Sequence, residues 1–199
     1  MTAALLLAAG ASRRMGSPKP LLDWHGRPLI LYQINQLRAA GCDEVVVVLG
    51  DRAARVTCFI EDDPHTIVVE NPDYRQGRAS SVRAGASALQ SSTQWIAVLG
   101  VDQPRPDSIT RQLLKAASAS TAAIIVPTHN GRRGHPTLFA GRLLPEMLRV
   151  QEETLGLRAI LQRHRDEVQE VEIVGKEAEL VLADLNTPQD YEKARRVWG

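Results

Sequence analysis

Aromatic residues are scarce in this 199-residue chain: three Trp, three Tyr and two Phe, 4% in all. So few rings cannot furnish the stacking platforms on which single-stranded nucleic acids lie. Cysteine is rarer still. Cys42 and Cys58 form no CxxC pair and cannot build a disulfide framework, which fits a reduced, cytoplasmic setting with both thiols packed as small apolar groups. Charge of one sign is also missing: 24 Lys and Arg stand against 23 Asp and Glu, for a net charge of +1. No global field therefore draws the chain to nucleic acid or to a membrane surface. No apolar run approaches the roughly 20 residues of a membrane span. The apolar opening, residues 2–9, precedes the basic pair Arg13 and Arg14, the reverse of a secretory signal.

What is present is ordinary globular material, 44% hydrophobic and 24% charged. Residues 3–9, 44–49, 66–70, 95–99 and 122–126 are short apolar runs without strict alternation, the pattern of parallel strands covered on both faces. Between them, residues 28–40, 78–90 and 107–118 read as helices; residues 155–164 and 188–198 follow. Ile30, Ile34 and Leu37 share one stripe of the first helix, Pro28 suits its first turn and Gly41 its left-handed stop. Thr187 is the expected N-cap of the last. This alternation predicts one α/β domain over residues 1–199, a three-layer sandwich around a mostly parallel sheet. The Gly- and Pro-dense residues 127–150 read as a loop-and-hairpin excursion near the active side.

The strongest signal follows the first strand: Leu7-Ala8-Ala9-Gly10-Ala11-Ser12-Arg13-Arg14-Met15-Gly16-Ser17-Pro18-Lys19. In open α/β sheets, ligands bind beyond the carboxyl ends of strands. Small side chains at Ala8, Ala9, Gly10 and Ala11 let the backbone approach a ligand and form an anion-binding nest. Arg13, Arg14 and Lys19 add positive charge suited to a triphosphate. The spacing is neither Walker A nor GxGxxG.

Further along, Asp102 in Gly100-Val101-Asp102-Gln103-Pro104 ends a strand. There it either bends the turn or holds Mg²⁺, which binds through one or two carboxylates plus substrate phosphates. Asp184 and Asn186 alternate on an extended segment, and so project to one side where they could share that cation. The turn Asn71 to Arg78 leads into a helix whose free amides attract anions, with Ser80 and Ser81 also able to cap it. The histidines show no metal-ligand spacing, and the arginines of residues 155–165 read as a solvated face.

The first string resembles the signature of the MobA-like nucleotidyltransferases, Leu-Ala-(Ala/Gly)-Gly-x-Ser-x-Arg-Met-Gly-x-x-Lys, and within them is most similar to the molybdenum cofactor cytidylyltransferases. Asp102-Gln103-Pro104, the late Asp184-x-Asn186-Thr187-Pro188-x-Asp190-Tyr191 element, Gly77-x-x-x-Ser81 and Gly134-His135-Pro136, the last ahead of a short strand, match further elements. Asn186 stands where Asp is common. The resemblance implies a Rossmann-like fold of the nucleotide-diphospho-sugar transferase type over essentially the whole chain. It implies that the amides of Gly10, Ala11 and Ser12 together with Arg14 hold the β- and γ-phosphates. Lys19 then serves the α-phosphate, Asp102 the metal, Gly77 and Ser81 the nucleotide, and His135 the acceptor. Ala9, where a guanylyltransferase tends to carry Gly, points to CTP. The implied acceptor is molybdenum-loaded molybdopterin, with an apo-molybdenum hydroxylase or its maturation factor as partner. Transfer from GTP or to a sugar or polyol phosphate is the alternative within the fold, and a cofactor-binding module without turnover the alternative outside it.

Overall fold

The structure is a computed structural model that describes residues 1–12, 15–60 and 64–198. In chain order the elements are β1 (Thr2–Ala8), β2 (Asp23–Trp24), β3 (Arg27–Pro28), α1 (Leu29–Ala40), β4 (Glu44–Leu49), α2 (Ala53–Thr57), β5 (Thr66–Glu70) and α3 (Arg78–Ala86). They continue with β6 (Trp95–Gly100), α4 (Asp107–Ser118), β7 (Ile124–His129), β8 (Arg132–Arg133), β9 (Thr137–Ala140), α5 (Leu144–Met147), α6 (Leu157–Arg163), β10 (Val168–Glu172) and α7 (Pro188–Trp198). The main sheet runs β10-β7-β9-β6-β1-β4-β5, with β8 paired to β7; β2 and β3 make a separate hairpin. Among the described residues, no helix is long and apolar enough to cross a membrane.

Strand β1 shows why the central sheet needs two covers. Ala4, Leu6 and Ala8 enter a core with Ile30, Ile34 and Leu37 of α1 and Ile109 and Leu113 of α4. Ala3, Leu5 and Leu7 enter a second core with Val82 and Ala86 of α3, Met147 of α5 and Ile160 of α6. Successive side chains of a strand point to opposite faces, so a wholly apolar strand requires helices on both sides. Helix α1 stops where predicted: Gly41 takes φ 108°, and its amide bonds back to the carbonyls of Leu37 and Arg38.

Two elements depart from the sequence reading. Residues 137–140, the short strand expected after Gly134-His135-Pro136, lie in the main sheet and not in a separate loop-and-hairpin excursion. They form β9, which slots antiparallel between β6 and β7 and buries Leu138 and Phe139. Four residues flanked by Gly134, Pro136 and Gly141 are too short to show a period, so the sequence did not reveal where the strand pairs. β10 carries Gln169, Glu170 and Glu172, because an edge strand keeps one side in water and need not be apolar throughout.

The sheet reverses its order at β1: β4 and then β5 lie to one side, β6 to the other. β1 and β6 are parallel neighbours, with Leu7 opposite Gly100, so their carboxyl ends open together. That crevice is where an α/β sheet of this kind receives a ligand.

Candidate active site

A cavity of about 410 Å³ occupies that crevice. From the first loop it is lined by Ala8, Ala9, Gly10, Ser12 and Lys19, but not by Ala11. Arg14 lies outside the described residues. A Cβ added at Gly10 would meet nothing within 4 Å, so the glycine leaves open space beside the backbone. Ser12 sits at φ 49° and its Oγ accepts the amide of Lys19 at 3.0 Å, folding the loop back so that Lys19 returns to the strand ends.

Lys19 meets the groups predicted to serve a cation. Its Nζ donates to Asp102 Oδ2 at 2.7 Å and to Asn186 Oδ1 at 3.3 Å, with the lysine side chain only 13% exposed. Asp102 follows β6; Asn186 arrives from the segment before α7, which is tied to the β6 turn by the Leu185 amide on the Asp102 carbonyl at 2.8 Å. Two hard oxygen donors therefore converge on one point, now filled by the ammonium. That donor set suits a Mg²⁺-like ion completed by substrate oxygens. Asp184 does not join it. Its Oδ1 accepts from Gln103 Nε2 at 2.9 Å and lies 3.9 Å from the Arg105 guanidinium. Although Asp184 and Asn186 share an extended segment, Asn186 alone of the two lines the cavity.

Of the residues that fix this geometry, Gln103 belongs to the Asp102-Gln103-Pro104 element, whereas Gln33 and Arg105 carried no motif signal. Gln103 Oε1 accepts the Gly100 amide, and the Gln103 carbonyl accepts from buried Gln33 of α1 at 2.6 Å. Arg105 is fully buried and donates to the carbonyls of Pro104, His135, Val181 and Ala183. Burial pushes its guanidinium down to about 10, with Asp184 and then Asp102 pulling the other way. Arg105 thus ties the turn after β6, the loop before β9 and the segment leading to Asn186 into one unit. Only the position of an arginine between two prolines at a strand end hinted at it.

The third wall is the turn before α3. Gly77 takes φ 104°, and a Cβ there would lie 2.5 Å from the Glu152 carboxyl carbon. Buried Asn71 donates to both Ser80 Oγ and Ser81 Oγ, at 2.9 and 3.0 Å, setting the serines as α3 begins. Gly77 and Ser81 both line the cavity; Ser80 instead donates to the Gly77 carbonyl.

His135 lies in a second cavity of about 540 Å³, floored by Val82, Val98, Val126 and Phe139 and rimmed by Arg78, Arg133 and Arg158. Burial, and then the charges of Arg78 and Arg105, push the His135 imidazole down to about 4, so the ring is neutral near pH 7. The supposed solvated arginine face is divided: Arg158 rims this cavity, while Arg163 bonds Glu146 at 2.6 Å.

The chain matches known proteins over most of its length. Residues 4–168 match the model of the MobA-like NTP transferase domain. The chain is 34% identical over 167 residues to a nicotine blue oxidoreductase of Paenarthrobacter nicotinovorans, covering 80% of each protein. It is 30% identical over 193 residues to the molybdenum cofactor cytidylyltransferase of Escherichia coli, covering 96% of this chain and 94% of that protein. Among solved structures, Rv0371c of Mycobacterium tuberculosis superposes with a TM-score of 0.82 at 26% identity, over 98% of this chain and 97% of the other. The match spans the strand ends that build the first cavity and the strands that floor the second, and on it the chain belongs to the MobA-like NTP transferase family.

Proposed function

We propose that the chain transfers CMP from CTP to the phosphate of molybdenum-loaded molybdopterin and releases pyrophosphate. The observation that carries this reading is the cluster of Lys19, Asp102 and Asn186 in a cavity at the joined ends of β1 and β6. The amides of the first loop and Arg14 would hold the β- and γ-phosphates of the leaving group. Lys19 would turn from Asp102 to the α-phosphate, where charge builds as an acceptor oxygen bonds to phosphorus and the bridge to the β-phosphate breaks. A divalent cation held by Asp102 and Asn186 would neutralise phosphate charge at the same point. Gly77 and Ser81 border the remaining wall on the nucleotide side.

The second cavity supports an acceptor with an apolar, ring-bearing body. Its floor of Val82, Val98, Val126 and Phe139 offers apolar contact to the face of a ring, while Arg78, Arg133, Arg158 and Glu152 offer polar partners to the ring's edge. The neutral His135 supplies a polar edge without charge. The product would pass to an apo-molybdenum hydroxylase or its maturation factor.

The test is pyrophosphate release with CTP, GTP, ATP and UTP, each against molybdopterin and a set of sugar phosphates. Release with CTP and molybdopterin is expected. Release only with a sugar phosphate overturns the acceptor, and saturable binding without pyrophosphate points to a carrier module.

A further inference from the structure

Among the described residues, Arg78 alone belongs to the linings of both cavities, the one around Lys19 and Asp102 and the one around His135. It is the first residue of α3, directly after the Gly77 turn. Its guanidinium forms no hydrogen bond or ion pair with a described residue, and its charge reaches His135 in the second cavity. The neighbouring groups are already committed. The Ala79 amide is taken by Glu152 Oε2 at 2.7 Å, so the end of α3 presents a carboxylate there rather than a vacant donor. Arg133 on the same rim is held by Glu170 at 2.6 Å. Arg158 lines the second cavity alone.

We propose that Arg78 grips the attacking phosphate of the acceptor at the aperture between the two cavities, and so selects acceptors that end in a phosphomonoester. The inference rests on the transferase reading for its place in the reaction. A phosphate dianion that must approach a triphosphate meets like charge from every side. A planar guanidinium at the junction offsets that repulsion and can hold two phosphate oxygens at once, leaving the third free to attack. The new bond joins an acceptor oxygen to the α-phosphorus, and the pair of electrons from the broken bridge leaves with pyrophosphate. The preference for an acceptor phosphate is then set by one side chain of α3, and the preference for a triphosphate by the first loop.

The test uses the full chain with molybdopterin as probe, read by pterin fluorescence, with CTP binding titrated separately. Arg78→Met keeps the apolar stem without the charge, and Arg78→Lys restores the charge without the fork. The Met variant is expected to weaken molybdopterin binding on the order of 10- to 100-fold, the worth of a charge-assisted contact. CTP affinity should hold within about 2-fold, and the Lys variant should recover part of the loss. Pterin whose phosphate has been removed enzymatically should bind wild type and Arg78→Met alike. Equal molybdopterin binding by wild type and Met variant overturns the assignment, as does a loss that falls on CTP or persists with the dephosphorylated pterin. A wild-type protein that does not bind molybdopterin also overturns it. Arg78-dependent binding without pyrophosphate release from any nucleotide would instead remove the transfer reaction and leave the phosphate grip standing.

Discussion

The two cavities meet at Arg78 but are made of different materials. The cavity around Lys19 is built from main chain, small side chains and a lysine held between a carboxylate and an amide oxygen, contributed chiefly by one loop and one strand end. The cavity around His135 is built from apolar side chains of α3, β6, β7, β9 and α6, with arginines at its rim. The first can place charge at a point; the second can sort ligands by shape and desolvation. Chemistry and selectivity are therefore separable by substitution.

The sharpest break should come at Lys19. Lys19→Ala is expected to lower turnover about 100- to 1,000-fold, the scale for losing one group aimed at developing charge, with molybdopterin binding retained. Unchanged turnover would remove Lys19 from the chemistry. Next comes Arg105, which holds walls of both cavities. Arg105→Met strands four buried carbonyl contacts and should cost about 3–5 kcal/mol, read as a lowered denaturant midpoint. A variant as stable as wild type would show that the segments hold together without it.

His135 supplies a pH test of the second cavity. The folded ring binds a proton less readily than the unfolded one, whose pKa is about 6.5. Its contribution is therefore neutral above about pH 6.5, and stability falls as pH drops from there toward about 4, by about 3 kcal/mol in all. His135→Asn should flatten that part of the stability profile, whereas an unaltered profile would mean the ring is solvated. The smallest effect is expected at Leu161 on the lining of the second cavity. Leu161→Gln should raise the acceptor KM about 5-fold and leave CTP binding unchanged, since only apolar contact is lost. An equal change in both would blur the distinction between the cavities.

The same contrast explains what could be read in advance. The first loop is contiguous, so its small residues and Lys19 carried their meaning in sequence, and Asp102 was marked by its place at a strand end. The parallel strands β1, β4 and β6 declared themselves because both faces are buried. Asp184 was misplaced relative to Asn186, since alternation places two residues on one side without saying what else competes for them. Here Gln103 and Arg105 do. Arg105 was only hinted at by its place between two prolines, because three of its four carbonyl partners lie 30 to 78 residues away and every residue has a carbonyl. Arg78, Phe139 and Leu161 meet only after folding, and the shortness of β9 hid its place between β6 and β7.

The placement of β9 has a consequence for biosynthesis. A ribosome delivers β6 and β7 before the strand that fits between them. Until residue 140 has been added, these two strands keep facing rows of main-chain donors and acceptors open, the kind of bare border that recruits another polypeptide. A nascent or prematurely terminated product ending near residue 130 would thus carry a gap in the middle of its sheet, and would be far more prone to aggregate than one truncated just past Ala140.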